Sequence, residues 1–104
     1  MSEIIVFITA SKEQEAVKIA HALVEARLAG CVNIIKNIRS IYNWKGRIED
    51  EKEFLMIAKT QKRLFKPLQE KVKEIHSYSV PEVIAVPVTE GSADYLTWLK
   101  NVTG

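Results

Sequence analysis

The stretch from Arg27 to Thr60, RLAGCVNIIKNIRSIYNWKGRIEDEKEFLMIAKT, contains two long β-type runs that meet at Asn43-Trp44-Lys45-Gly46. One arm runs from Cys31 to Tyr42 and the other from Arg47 to Lys59, each about twice the usual strand length of ~5–6 residues. A hairpin of that length projects beyond a small domain's sheet. Its outer residues then present unpaired N–H and C=O groups, which proteins cover, charge or pair with another chain. The chain is therefore expected to be an oligomer. Gly46 supplies the backbone freedom for a three- or four-residue loop, and the aromatics Tyr42 and Trp44 beside it predict burial against a partner subunit. The second arm opens with Arg47, Glu49, Asp50, Glu51, Lys52 and Glu53 before turning apolar at Phe54, so its first half is the wetter one.

Upstream, Glu3 to Ala10 (EIIVFITA) is nearly continuously apolar and β-branched, which suits a central strand. Ser11 and Gln14 have the spacing of a capping box. Ala16, Ile19, Ala20, Leu23, Val24 and Leu28 then fall at helical spacing, giving a helix over residues 12–29 with Gly30 as its stop. Downstream, Leu64, Phe65, Leu68, Val72 and Ile75 predict a helix at about 64–76, with Pro67 tolerated only in its first turn. Val83 to Thr89 reads as a strand that Pro87 confines to an edge or an end. Ser92 caps a last helix bearing Asp94 in its first turn and Tyr95, Leu96, Trp98 and Leu99 as its apolar face. The order β-α-β-β-α-β-α, with right-handed crossovers, predicts an α+β fold: a ferredoxin-like antiparallel sheet, helices on one face and an added C-terminal helix.

At 104 residues there is room for one domain, residues 1–104, with a single core. The 15 basic and 13 acidic residues are interspersed, without a run of five like charges, which is not the footprint of a nucleic-acid binder. No apolar stretch reaches the ~18 residues of a membrane span. The single Cys forms no intrachain disulfide, and no basic n-region precedes the first apolar run, so a cytoplasmic setting is expected.

Five fragments in order carry a resemblance. Arg27-Leu28-Ala29-Gly30-Cys31-Val32-Asn33, Ser40-Ile41-Tyr42-x-Trp44-x-Gly46-x-Ile48, Lys59-Thr60, His76-x-Tyr78-x-Val80-Pro81-Glu82 and Tyr95-Leu96-x-Trp98 resemble the CutA family of divalent-cation tolerance proteins. The resemblance implies a ferredoxin-like subunit, a homotrimer assembled through the extended hairpins, and a link to copper and other divalent metals. The chain departs from the family segment His-Pro-Tyr-Glu-Val-Pro-Glu at Ser77 and Ser79, losing a proline and a carboxylate beside His76. Positions that bear a thiol and a second histidine in some relatives match Ile8 and Ile75 here, neither of which binds metal.

On this reading the metal candidates are His76, an imidazole suited to copper or zinc, with Glu82 and Cys31 as secondary ligands. The bland alternatives are a helix-terminal histidine interacting with the helix dipole and a small buried thiol. His21 has only Glu25 nearby on its helix and reads as surface. Lys59, Glu53 and Tyr78 are expected to join His76 in an intersubunit cleft, and Tyr42, Trp44 and Gly46 to form the trimer interface. There is no nucleophile elbow, Gly-rich phosphate loop, H-E-x-x-H or paired-Cys motif, so no catalysis and no organic cofactor are expected. The rival reading is a trimeric regulator or scaffold of the PII type, taking a small effector or a protein partner between subunits.

Overall fold

The computed structural model describes residues 2–104. Four strands, β1 (Glu3–Ala10), β2 (Cys31–Trp44), β3 (Arg47–Gln61) and β4 (Val83–Pro87), form one antiparallel sheet in the order β2-β3-β1-β4. The helices are α1 (Glu13–Glu25), α2 (Phe65–Ile75) and α3 (Ala93–Val102), with a short 3₁₀ turn at Lys62–Leu64 before α2. This is the ferredoxin-like arrangement with one added C-terminal helix. As its apolar run predicts, β1 is central, paired with β3 and β4. The edge places are left to β2 and to the short β4, which ends at Pro87.

Alternation along the strands sorts the two faces of the sheet. Ile4, Val6, Ile8 and Ala10 of β1, with Met56 and Ala58 of β3, are buried against Ala16, Ile19 and Leu23 of α1 and Leu68 and Val72 of α2. The intervening positions, Ile5, Phe7, Ile35, Leu55, Ile57, Ile84 and Val86, make an apolar face on the side away from α1 and α2; α3 reaches only its Glu3–Gln61 end, where Gln61 Nε2 donates to Thr103 Oγ1, and Ile84 is 57 % exposed. A sheet face of this composition is the kind that antiparallel proteins cover with another layer or another subunit.

Several local expectations need correction. The first helix ends at Glu25, and the left-handed residue is Arg27 (φ 60°), not Gly30. Leu28 N–H donates to Leu23 O at 2.9 Å and Arg27 N–H to Val24 O at 3.0 Å, the paired bonds of a Schellman motif with Arg27 at C′. Arg27 holds that costly conformation because its guanidinium donates to Gly104 O and Asn101 O, tying the helix end to the C-terminus. Gly30 is required by space instead: a Cβ there would sit 2.5 Å from Leu99 Cδ1. The capping box does not form, because Lys12 is the N-cap of α1 and Ser11 lies one residue too early. The second helix spans residues 65–75 with Pro67 in its first turn, and the last strand stops at Pro87, two residues before Thr89.

The hairpin arms are 14 and 15 residues long. They are joined by two residues, shorter than the expected loop: Lys45 (φ 53°) and Gly46 (φ 80°) form a type I′ turn, and Asn43 Oδ1 accepts from Gly46 N–H. A bulge with Asn37 at φ 60° lies between Ile35 and Ile38. Because β1 ends opposite Phe54, everything from Glu53 to the tip pairs only with β2 and projects beyond the sheet.

Candidate functional site

Past the bulge, directly opposed residues share a face of the projecting ribbon: Ile38 with Glu53, Ser40 with Glu51, Tyr42 with Glu49 and Trp44 with Arg47. Glu49, Glu51 and Glu53 therefore form a row of carboxylates on alternate residues, beside the rings of Tyr42 and Trp44. The opposite ribbon face carries Ile41, Ile48 and a bidentate ion pair from Arg39 to Asp50 at 2.9 and 2.7 Å. Ile41 and Ile48 are 63 % and 71 % exposed.

The chain after α2 closes the other wall. His76 is the C-cap of α2, and its ring is wholly buried. Nε2 lies 2.7 Å from Thr9 O, and Nδ1 accepts from Tyr78 N–H at 3.0 Å. These partners define the neutral tautomer with the proton on Nε2. Glu15 Oε1 is 3.5 Å from Nδ1, and the same carboxylate accepts from Ser77 N–H and Oγ–H. The imidazole thus pins residues 76–78 across the end of β1, with no lone pair left for a metal ion unless one of these bonds breaks.

Held in that way, Tyr78 packs on the His76 ring, centroids 4.6 Å apart, and its hydroxyl donates to Glu53 Oε2 at 2.6 Å. The result is a cleft of about 740 Å³ between the hairpin and residues 78–82, lined by Tyr42, Trp44, Tyr78, Val80 and the carboxylates of Glu49, Glu51, Glu53 and Glu82. Its electrostatics follow. Burial, then the Glu53 carboxylate, pushes the Tyr78 phenol far up. Burial raises the Tyr42 phenol, assisted by Glu51, Glu53 and Glu49. Glu82 is raised by burial and then by Glu53. Among the described residues none of the four carboxylates has an ion-pair partner.

The expected site is only partly assembled. Glu53, Tyr78 and Glu82 meet in the cleft with His76 behind them, and Tyr42 and Trp44 form its wall. Within the subunit Lys59 stands apart from them: it pairs across from Cys31, six residues along β3 from Glu53, about 20 Å at strand spacing, and its ammonium bonds Asn33 Oδ1. Cys31 sits at that same far end, with Sγ 3.9 Å from Asn33 Oδ1. Among the described residues no three His, Cys, Asp or Glu side chains are grouped to hold a metal ion. His21 is exposed beside Glu25, as expected. Glu49 and Glu51 were not singled out from sequence. The available signal was acids on alternate residues of a strand facing Tyr42, which required splitting the charged run into its two faces.

Residues 4–102 match the family model described as CutA1 divalent ion tolerance protein. The divalent-cation tolerance protein CutA of Thermus thermophilus is 47% identical over 102 residues, covering 98% of this chain and 99% of that one. Human protein CutA is 50% identical over 97 residues, 93% of this chain but 54% of the relative, so the chain spans about half the length of that longer protein. Among solved structures, the Thermus thermophilus protein superimposes with a TM-score of 0.96 at 47% identity, covering 98% and 99% of the two chains. CutA1 from Oryza sativa gives a TM-score of 0.96 at 40% identity, covering 100% and 95%.

Proposed function

Because the chain belongs to the CutA1 divalent ion tolerance family, we propose that it works in the cytoplasm as a homotrimer that binds divalent metal ions in clefts completed where subunits meet. One observation carries this reading: a cleft with four carboxylates that form no ion pair among the described residues borders an apolar sheet face that α1 and α2 leave open. Glu53 and Leu55 lie on the same side of β3, so a subunit docking on Leu55, Ile57 and Phe7 also closes over the carboxylates. Burial of that face supplies the association free energy at about 25 cal/mol per Å² of apolar surface.

The donors that converge in the cleft are carboxylate and phenol oxygens, which suit hard divalent cations. Copper's preferred imidazole and thiolate are engaged elsewhere, His76 in its two backbone bonds and Cys31 at the far end of β2. One subunit alone presents an incomplete ligand set, so tight uptake depends on the assembly. The role is binding rather than catalysis.

The test is light scattering combined with calorimetric titration of Mn²⁺, Zn²⁺ and Cu²⁺ into metal-stripped protein. The expected result is a trimer mass at micromolar protein and saturable metal binding lost in a Glu53→Gln/Glu82→Gln variant. A monomer mass, or metal binding unmoved by that variant, rejects the reading.

A further inference from the structure

We propose that the bulge at Lys36–Asn37 is a register pin: it turns Tyr42 and Trp44 toward the cleft and keeps the Arg39 guanidinium off the cleft's carboxylates. The register stands independently of the cation-site reading, and only its consequence for binding rests on that reading.

Pairing on the two sides of the bulge differs by one residue. Below it Cys31 faces Lys59 and Ile35 faces Leu55; above it Ile38 faces Glu53, Tyr42 faces Glu49 and Trp44 faces Arg47. Carried to the tip without the bulge, the lower register would set Arg39 opposite Glu51, Ile41 opposite Glu49, Tyr42 opposite Ile48 and Asn43 opposite Arg47. A one-residue slip of this kind sends every side chain of the strand to the other face. Tyr42 would leave the cleft side. Arg39, which borders the cleft with its guanidinium held on Asp50 at 2.9 and 2.7 Å, would come to lie in the row of Glu49, Glu51 and Glu53.

Neither the hydrophobic pattern of the ribbon nor its tip chooses between the two registers. Apolar side chains stand on both faces, Ile38, Tyr42 and Trp44 on one and Ile41 and Ile48 on the other, and from Glu53 to the tip β1 adds no constraint. The type I′ turn at Lys45-Gly46 closes the bulged register. Trp44-Lys45-Gly46 would close the other as a three-residue loop ending in a glycine of positive φ, also a common hairpin connection.

The bulge makes the choice. Asn37 stands at φ 60°, a left-handed conformation that Asn adopts more readily than most residues with a side chain. Just before it, Lys36 reaches Glu13 Oε2 in the first turn of α1 at 2.8 Å; just after it, Arg39 holds Asp50, so the extra residue is flanked by two anchors. Both ion pairs are exposed, and exposed pairs contribute little to stability, which leaves the Asn37 backbone as the deciding element.

The experiment reads the register by disulfide trapping with glutathione disulfide in a Cys31→Ala background. Ser40→Cys/Glu51→Cys joins residues opposed in the bulged register, and Ile41→Cys/Glu49→Cys residues opposed only in the other; a pair on opposite faces cannot close. With Asn37 in place the first pair should close and the second stay open. Asn37→Val, a β-branched residue forced into the left-handed region, should shift closure toward the second pair by roughly tenfold, whereas Asn37→Gly should not. Deleting Asn37 removes the bulge together with its extra residue, so Ile38 still meets Glu53 and the first pair should close as before. Closure of the second pair in the deletion, or an unshifted ratio in Asn37→Val, overturns the proposal, and the deletion decides it even if Asn37→Val fails to fold. Mn²⁺ titration of the same position-37 variants, without the cysteine pairs, separates the two readings. The shifted register should weaken Mn²⁺ binding by roughly tenfold as Arg39 joins the row, and the deletion should leave it unchanged. A shifted register with unchanged Mn²⁺ affinity rejects the cation site and leaves the register pin standing.

Discussion

Tyr78 Oη lies 2.6 Å from Glu53 Oε2, and this contact ties the loop after α2 to the base of the projecting hairpin. It is the point at which the cleft's two walls meet. His76 positions Tyr78 through the backbone, so a histidine without a free lone pair still governs the geometry of the acidic row.

Removing only the hydroxyl, in Tyr78→Phe, leaves Glu53 buried without its donor. The expected cost is about 1–3 kcal/mol, the penalty for an unsatisfied buried acceptor. Urea denaturation monitored by circular dichroism reads it directly. An unchanged midpoint would show that water or a cation replaces the phenol.

All three tyrosines are held above the ordinary phenol value of 10.0: Tyr42 and Tyr78 by burial and the cleft carboxylates, Tyr95 by burial and then Cys31. A raised folded-state value favours the protonated form in the native protein. The corresponding stability is complete below pH 10 and is lost as the pH rises through the folded values. Ultraviolet difference titration should therefore show no tyrosine ionising at its ordinary value until the protein unfolds, with a component near 10 counting against the cleft's electrostatics.

Much of this architecture was legible in the chain. The period-2 runs, the helical spacing of Leu64, Leu68 and Val72, and the length of the 31–59 hairpin gave the topology, because burial on one face imposes those periods. The site was less legible. Alternation separates Glu49, Glu51 and Glu53 from Asp50 and Lys52, but only pairing with β2 shows that Tyr42 faces them. Lys59, expected in a cleft between subunits, stands at the other end of β3 from Glu53 within one subunit, because six residues of extended strand separate them. Arg27 took the left-handed position expected of Gly30 because its side chain reaches the C-terminal carbonyls, a contact 77 residues away in sequence.

Two glycines should respond to alanine for different reasons. In Gly30→Ala the new methyl meets the Leu99 and Val102 side chains at 2.5 and 3.0 Å, so these buried side chains must repack or carry α3 with them, at about 1–3 kcal/mol of overpacking. In Gly46→Ala nothing lies within 4 Å, and the cost is the left-handed backbone alone, about 1–2 kcal/mol. Hydrogen exchange separates them: the first should loosen α3 amides, the second only those at the hairpin tip.

His76→Ala should destabilise by about 2–4 kcal/mol, since it empties a buried site and strands Thr9 O and Tyr78 N–H. His76→Asn, able to keep one of the two bonds, should recover part of that loss. If instead His76→Ala abolishes metal binding with the melting temperature unchanged, the ring is a ligand after all and the clamp is secondary.

The Glu82 carboxyl is held above its ordinary value of 4.5 by burial and by the neighbouring Glu53, so the native state binds its proton more tightly than the unfolded chain does. The linkage sign follows: this group's contribution to stability falls as pH rises through the window above 4.5, and at neutral pH its charge opposes folding. Asp50, lowered by its bond to Arg39, acts the other way, its stabilisation present above 3.8 and lost in acid. Glu82→Gln should therefore raise the denaturation midpoint near neutral pH, with the gain disappearing below pH 4.5. A saturating cation should produce the same neutral-pH gain in the unmodified protein and none in a Glu53→Gln/Glu82→Gln variant. A glutamine variant less stable than the parent at neutral pH would mean that Glu82 already has a compensating partner in the assembled protein.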